Sequence, residues 1–172
     1  RIGIESYVFP KLFITLGMHS NSHDIAVCRL KKSVDIDFYP KLYSEDDEKG
    51  KVCSVAGFGF SGKHNHRTLK NDRIKRAGSN IVDSVDDGIL ICSVGEGVNT
   101  SLEFLINSGD SGGGLFIDKK LAAINSSIYR LGHHTTFNYS KHVRISFHKA
   151  WIEGIISVLN KMKEIENTEK IW

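Results

Sequence analysis

Proline and cysteine are scarce in this chain of 172 residues, which has only two prolines and three cysteines. Three thiols cannot all pair within one chain, and they are too few for a scaffold built from disulfides. No apolar run approaches the ~20 residues of a membrane-spanning helix. The net charge of +3 is too small by itself to indicate nucleic-acid binding. We therefore expect one globular domain with neither a membrane nor a nucleic acid as partner.

Short apolar stretches rich in β-branched and aromatic residues recur up to about residue 147. Polar or glycine-rich segments separate them, as strands are separated by turns. This pattern predicts a β-sandwich or β-barrel. The stretches are 12–16, 25–30, 52–60, 89–94, 113–117, 121–128 and 142–147.

The period changes near the end of the chain, where residues 148–165 predict one amphipathic helix. Apolar residues recur there at spacings of three and four, with Lys and Glu between them. We expect this helix to pack on the β-core, and the alternative is a helix that binds a partner. The apolar positions are Trp151, Ile152, Ile155, Ile156, Leu159 and Met162.

Residues 107–116 read NSGDSGGGLF and place a serine inside a run of glycines, before an apolar strand. Glycines on both sides of Ser111 permit a tight turn that exposes the hydroxyl and leaves backbone N–H groups free for an oxyanion. Residues 109–113, GDSGG, also match the G-x-S-x-G motif at the nucleophile elbow of α/β-hydrolases. Too little chain follows Ser111 for that fold, and its alternating strands and helices are missing.

GDSGG followed by an apolar strand resembles the active-serine signature of the chymotrypsin/trypsin-like serine proteases. Other segments resemble this family in the right order: HDIAVCRL (23–30), VAGFG (55–59), LAAINSS (121–127) and HVRISFHKAWI (142–152). The resemblance spans nearly all of residues 1–172. It implies an all-β fold, the trypsin-like double six-stranded antiparallel β-barrel with a C-terminal helix, its first barrel incomplete in this chain.

The resemblance also implies roles for individual residues. Ser111 would be the nucleophile, and Asp24 would orient the catalytic base. The N–H groups of Gly109 and Ser111 would form the oxyanion hole. Asp110 would pair with an N-terminal ammonium freed by zymogen cleavage.

Three further residues would bind substrate if the resemblance holds. Leu105, six residues before the serine, would form the floor of the primary specificity pocket, and an apolar floor does not suit a Lys or Arg side chain. Ser126 would lie in the cleft strand. Ile128 would narrow the pocket, so we expect a preference for small or aliphatic side chains.

The catalytic histidine is the missing part of the pattern. The family order of histidine, aspartate and serine places it upstream of Asp24. Only His19 and His23 lie there, and His23, next to the aspartate, would point to the opposite face of a strand. We expect the base to precede Arg1, so that this chain is the C-terminal part of a longer protein and has little activity alone.

Two of the three cysteines stand where the family often has disulfide cysteines. The expected partner positions of Cys53 and Cys92 are Ile117 and about Gly78, so those bridges cannot form. We expect both thiols to be buried, free and apolar in character.

Other motifs predict little. The pairs His64/His66 and His133/His134 lack nearby acids or cysteines at ligand spacing, so we expect no metal and no other cofactor. The G-x-G-x-x-G match at 57–62 is not followed by a helical pattern.

Two functions remain open. The first is a secreted or extracytoplasmic serine endopeptidase, whose expected partners are a polypeptide substrate and a protein inhibitor. The second is an inactive homologue that serves as a binding or regulatory module.

Overall fold

The structure, a computed structural model, describes residues 2–11, 21–62, 70–94, 100–130 and 137–169. Within these ranges two antiparallel sheets precede a long C-terminal helix. The first sheet pairs β1 (Ile4–Val8) with β2 (Val27–Leu30). A 3-10 turn at Asn21–His23 precedes β2, so the residues after this turn are held at the start of a strand.

Seven further strands form the second sheet, and every neighbouring pair in it is antiparallel. They are β3 (Val52–Gly57), β4 (Arg76–Ile81), β5 (Ser84–Asp86), β6 (Ile89–Ser93), β7 (Gly114–Ile117), β8 (Lys120–Arg130) and β9 (Phe137–Arg144). Their spatial order is β4-β3-β7-β8-β9-β6-β5.

The large sheet curls so that distant strands meet. The side chain of Asn80 on β4 donates to the Ser93 carbonyl on β6 at 3.0 Å, although four strands lie between β4 and β6 in the sheet. On β3 the side chains of Cys53 and Val55 are buried while Ser54 is exposed, which is the two-residue alternation of a half-buried strand. The buried side chains inside the curl are Tyr43, Cys53, Val55, Val82, Leu90, Cys92, Leu115, Ile117, Ala122 and Ala123. The predicted mostly-β architecture is confirmed.

The C-terminal helix, α1, spans Ile145–Glu169 and so extends beyond both ends of the predicted 148–165. Ile145 is only 2% exposed and packs in a second core cluster. The helix therefore begins as soon as the chain leaves β9. No glycine or proline follows residue 165 to end it early.

The part of α1 up to Leu159 packs on the sheets, and the side chains of residues 160–165 are exposed. Ile152 is buried and Ile155 and Leu159 are half-buried, as the periodicity predicts. Ile156 and Met162 are 43% and 49% exposed, so their predicted packing is wrong. The apolar stripe of the helix therefore extends beyond the edge of the sheet on which the helix packs. Among the described helices, none is both long enough and apolar enough to cross a membrane.

A buried ion pair fixes the junction between β9 and α1. Glu48 is 1% exposed and accepts hydrogen bonds from Arg144 Nε at 2.9 Å and Ser146 Oγ at 2.7 Å. Arg144 also pairs with Asp46. The charge of Glu48 is tolerated in the interior because it is both paired and hydrogen-bonded.

Candidate active site

The chain around Ser111 forms a tight turn closed by its own backbone. The Asp110 N–H donates to the Asn107 carbonyl at 2.9 Å, and the Gly113 N–H donates to the Asp110 carbonyl at 3.1 Å. Gly109 and Gly112 have φ values of +96° and +80°, in the left-handed region that glycine adopts without a Cβ clash. Ser111 lies exposed between these two glycines, as a nucleophile requires.

Ser126 on β8 joins the two residues predicted to carry the chemistry. Its side-chain hydroxyl donates to Asp24 Oδ2 at 2.8 Å. Its carbonyl oxygen lies 3.4 Å from Ser111 Oγ, a long hydrogen bond. Asp24 follows the 3-10 turn that precedes β2. The structure thus brings Asp24, Ser111 and Ser126 to one place from three separate segments.

A β-bulge on β8 aims the Ser126 side chain. Asn125 pairs with His142 on β9 and Ser127 pairs with Lys141, so Ser126 is an extra residue on β8 with no partner of its own. Bulges of this kind bend a strand and redirect a side chain, and they are common beside active sites. The bulge was not predicted, since it depends on the register of two strands distant in sequence.

The backbone N–H groups of Gly109 and Ser111 are free in the described part of the chain. Their neighbours in the turn are all used, since Gly112 N–H donates to the Asn125 carbonyl at 2.9 Å and the Asp110 and Gly113 N–H groups close the turn as described above. Both residues are exposed. Two unused donors beside a serine hydroxyl are the chemical requirement of an oxyanion hole.

Asp110 anchors the turn to the loop after β3. Its side chain is buried and accepts hydrogen bonds from Gly59 N–H at 2.8 Å and Asn107 N–H at 2.9 Å. No cationic side chain in the described ranges pairs with it. A carboxylate that is buried beside two N–H donors remains able to receive an ammonium group.

A buried polar chain behind the turn was missed by sequence reasoning. Asn125 Nδ2 donates to the Asp110 carbonyl at 3.2 Å, and Asn125 Oδ1 lies 2.9 Å from His142 Nδ1. Ser140 Oγ lies 2.8 Å from His142 Nε2. Because Oδ1 can only accept, Nδ1 carries the imidazole proton and Nε2 accepts from Ser140. Burial lowers the pKa of His142 to about 4, so the ring is neutral.

The cleft beside Ser111 has a volume of about 210 Å³, and its lining comprises Ile106, Asn107, Ser108, Ser111, Ser126, Ser127 and Ile128. Of the predicted substrate-binding residues, Ser126 and Ile128 therefore lie at the cleft. Leu105 does not line it and instead packs against the core cluster inside the curled sheet. Ile106, which was not predicted, is the buried apolar residue at the cleft wall.

The structure shows no histidine of the described ranges within hydrogen-bond distance of Asp24 or Ser111. His23 instead packs on α1, with its ring centroid 6.1 Å from Phe147 and 5.2 Å from His148. Its Nδ1 is buried and has no hydrogen-bond partner among the described residues.

The other histidines that were considered, His19, His64, His66, His133 and His134, lie outside the described residues. Within the described ranges, no three His, Cys, Asp or Glu side chains group closely enough to hold a metal ion.

The comparisons with known proteins agree with this geometry. The family model described as Trypsin matches residues 6–152, whereas no curated protein sequence matches the chain. Mouse neuropsin, a serine protease expressed in the limbic system of the brain, superposes with a TM-score of 0.71 at 18% identity, over 90% of this chain and 71% of neuropsin. Human heparin binding protein superposes with a TM-score of 0.66 at 18% identity, over 91% of this chain and 66% of that protein. The chain belongs to the trypsin family of chymotrypsin-like serine proteases.

Proposed function

We propose that this chain carries the nucleophile, the orienting aspartate and the oxyanion hole of a serine endopeptidase. Ser111 Oγ attacks the carbonyl carbon of a peptide bond while a histidine takes its proton, and an acyl-enzyme forms as the amine leaves with that proton. Water then hydrolyses the ester and regenerates Ser111. Gly109 and Ser111 N–H groups stabilise the oxyanion of each tetrahedral intermediate.

One observation carries this proposal: Ser126 contacts both Asp24 and Ser111. Asp24 precedes β2 of the small sheet and Ser111 lies in the turn before β7 of the large sheet, so the two residues have no structural need to share a neighbour. The Asp24 carboxylate uses one oxygen on Ser126, and its other oxygen has no partner in the described ranges. An exposed carboxylate with a free oxygen beside the serine is suited to hold an imidazole in the required tautomer.

The proposal assigns the base to a histidine upstream of Asp24. His23 is turned towards α1 and does not contact Asp24. We infer that the base is a histidine outside the described ranges. Membership of the trypsin family supports the further inference that the protein is secreted and acts on polypeptides.

The cleft favours small or aliphatic side chains of the substrate. Ile106 and Ile128 give it apolar walls, and the residues that line it carry no charge. A Lys or Arg side chain would lose its hydration there without gaining an ionic partner. Profiling the parent protein with a peptide library should show cleavage after Ala, Val or similar residues. Dominant cleavage after Arg would contradict this assignment.

The test of the function is fluorophosphonate labelling of the full-length protein, because the reagent reacts with a serine only when a base activates it. We expect one adduct, located on Ser111 by mass spectrometry, and none in the Ser111→Ala variant. Ser108→Ala is the matched control, since Ser108 lines the same cleft and should label normally.

The alternative is an inactive homologue that binds a partner through the same fold. It is favoured by one finding, the absence of a histidine beside Asp24 in the described ranges. A folded full-length protein that takes no label would establish this alternative and exclude the peptidase.

A further inference from the structure

Two of the three cysteines meet inside the curled sheet. Cys53 on β3 and Cys92 on β6 are each 2% exposed, and their sulfur atoms lie 3.8 Å apart. The third, Cys28 on β2, is exposed and lies in the other sheet. Only Cys53 and Cys92 are therefore placed to react with one another.

The contact crosses the interior of the fold. In the large sheet β7, β8 and β9 lie between β3 and β6, so Cys53 and Cys92 belong to no common hydrogen-bonded ladder. Both side chains point inward and lie in the same apolar core cluster. The curl of the sheet places them together, and Cys53 Sγ also lies 3.4 Å from the Asn80 carbonyl oxygen.

In the structure both thiols are buried and free, as expected from the sequence. We propose that in the mature protein Cys53 and Cys92 are oxidised to a disulfide bond, in place of that expectation, and that Cys28 remains a free thiol. This bridge differs from those that the family resemblance implies, whose second positions are Ile117 and Gly78. A disulfide has a sulfur–sulfur distance of about 2.05 Å, so the two sulfur atoms must approach by about 1.8 Å. The proposal does not depend on the chemistry of Ser111.

The bond forms by thiol–disulfide exchange before the core closes. The thiolate of one cysteine attacks a disulfide of a protein oxidoreductase or a low-molecular-weight disulfide, which releases one thiolate and leaves a mixed disulfide. The second thiolate then attacks the protein sulfur of the mixed disulfide and expels the other thiolate. Two protein thiols lose two protons and two electrons, and the external disulfide gains them as two thiols.

The burial of Cys53 and Cys92 in the folded chain determines when the disulfide bond can form. The hydrogen bond to Cys53, and then burial, raise the pKa of the Cys92 thiol, and the thiolate is the reactive form. An oxidant in solution therefore reaches this pair only while the chain is open. Once formed, the bond closes a loop between residues that are 39 apart and links two strands that no backbone hydrogen bond joins.

The first experiment is peptide mapping of the full-length protein. The protein is expressed through an oxidising secretory route, alkylated with N-ethylmaleimide in denaturant and digested without reduction. We expect a peptide pair linked through Cys53 and Cys92, with the alkyl group on Cys28. Alkylation of all three cysteines, or any pair that includes Cys28, would overturn the proposal.

The second experiment measures the thermal midpoint with and without dithiothreitol. We expect reduction to lower the Tm of the wild type by about 5–15 °C. The matched control is the double variant Cys53→Ala/Cys92→Ala, whose Tm should not respond to the reductant, and Cys28→Ser should respond like the wild type. A wild-type Tm that is insensitive to dithiothreitol after complete reduction would contradict the bridge.

Discussion

The imidazole of His142 donates its Nδ1 proton to the side-chain oxygen of Asn125, in a buried hydrogen bond of 2.9 Å behind the Ser111 turn. Asn125 in turn donates to the Asp110 carbonyl, next to the serine. Burial favours the neutral form of His142, in which its other nitrogen accepts from Ser140. A proton added to Nε2 would turn the Ser140 hydroxyl away from the ring and towards the Cys92 carbonyl, 3.4 Å from Ser140 Oγ.

Stability should therefore fall in acid through His142. Its folded pKa is about 4 against a reference of 6.5, so the unfolded chain binds the proton first and protonation favours unfolding. The contribution is complete above pH 6.5 and is lost as the pH falls from 6.5 to 4, by about 3 kcal/mol in total. Urea unfolding at pH 7 and pH 4.5 measures it.

The control for this prediction is His142→Gln, which cannot titrate. Burial also lowers the pKa of His148, so part of the acid sensitivity should persist in the variant. The difference between wild type and variant isolates His142. Equal loss of stability in both proteins between pH 7 and pH 4.5 would contradict the assigned role.

Asp110→Asn should weaken the turn and slow its chemistry. The carboxylate uses both oxygens, on Gly59 N–H and Asn107 N–H, whereas an amide has one oxygen and would turn its NH₂ towards the other donor. We expect a loss of about 1–3 kcal/mol in stability and a fluorophosphonate labelling rate lower by about tenfold or more, since about 1.4 kcal/mol is tenfold. Asp118→Asn, in the exposed turn between β7 and β8, should change neither quantity.

Two glycine-to-alanine changes should act in opposite directions. A Cβ on Gly59 would lie 2.6 Å from Asp110 Cγ, and that carboxyl cannot move without losing its hydrogen bonds. We expect Gly59→Ala to cost about 3 kcal/mol or more. A Cβ on Gly154 meets no atom within 4 Å in the middle of α1, so Gly154→Ala should stabilise by about 0.5–1 kcal/mol. Thermal unfolding of both variants tests these two expectations. A Gly154→Ala variant that is less stable than the wild type would contradict the helical conformation of residue 154.

The Glu48–Arg144 pair should show strong coupling. Arg144→Met leaves the buried Glu48 carboxylate without a cationic partner in the described ranges, so we expect it to cost about 3–5 kcal/mol. Glu48→Gln should cost less, because Arg144 keeps Asp46 as a partner. The double variant should cost less than the sum, with a coupling of about 1–3 kcal/mol. The exposed pair Lys149–Glu153, at 3.9 Å, is the control and should couple by less than about 1 kcal/mol. Additive losses at Glu48 and Arg144 would contradict a direct ion pair.

The motif around Ser111 was predictable because it lies in one continuous stretch whose glycines have a local reason to be there. The sequence pattern also indicated β2, β3, β6, β7, β8, β9 and the C-terminal helix. It did not indicate β1, β4 or β5, and the predicted stretch 12–16 lies outside the described residues. The Asn125–His142 bond was not predictable, since a polar residue on a strand is ordinarily assigned to the solvent face. That assignment fails where two buried polar groups satisfy each other, and only the pairing of β8 with β9 brings them together.

The surroundings of Leu105 and of the end of α1 depend on packing that a local sequence pattern does not specify. Counting back from Ser111 gives a position in the chain, but the neighbouring Ile106 lines the cleft while Leu105 packs inward. The spacing of Ile156 and Met162 gives a helical face but not the extent of the sheet below it. Local patterns specify which element forms, whereas the partner that covers it depends on segments far away in sequence.

The bulge at Ser126 makes residue number as important as residue type on β8. Ser126 is an extra residue against β9, and without it the two strands would pair regularly from Ala123 to Tyr129. Deleting Ser126 would restore regular hydrogen bonding between β8 and β9 at this point, but the Ser127 hydroxyl that follows would point away from Asp24. Among relatives of this chain, a one-residue gap in this strand would therefore mark the loss of the site even where every serine and aspartate is kept.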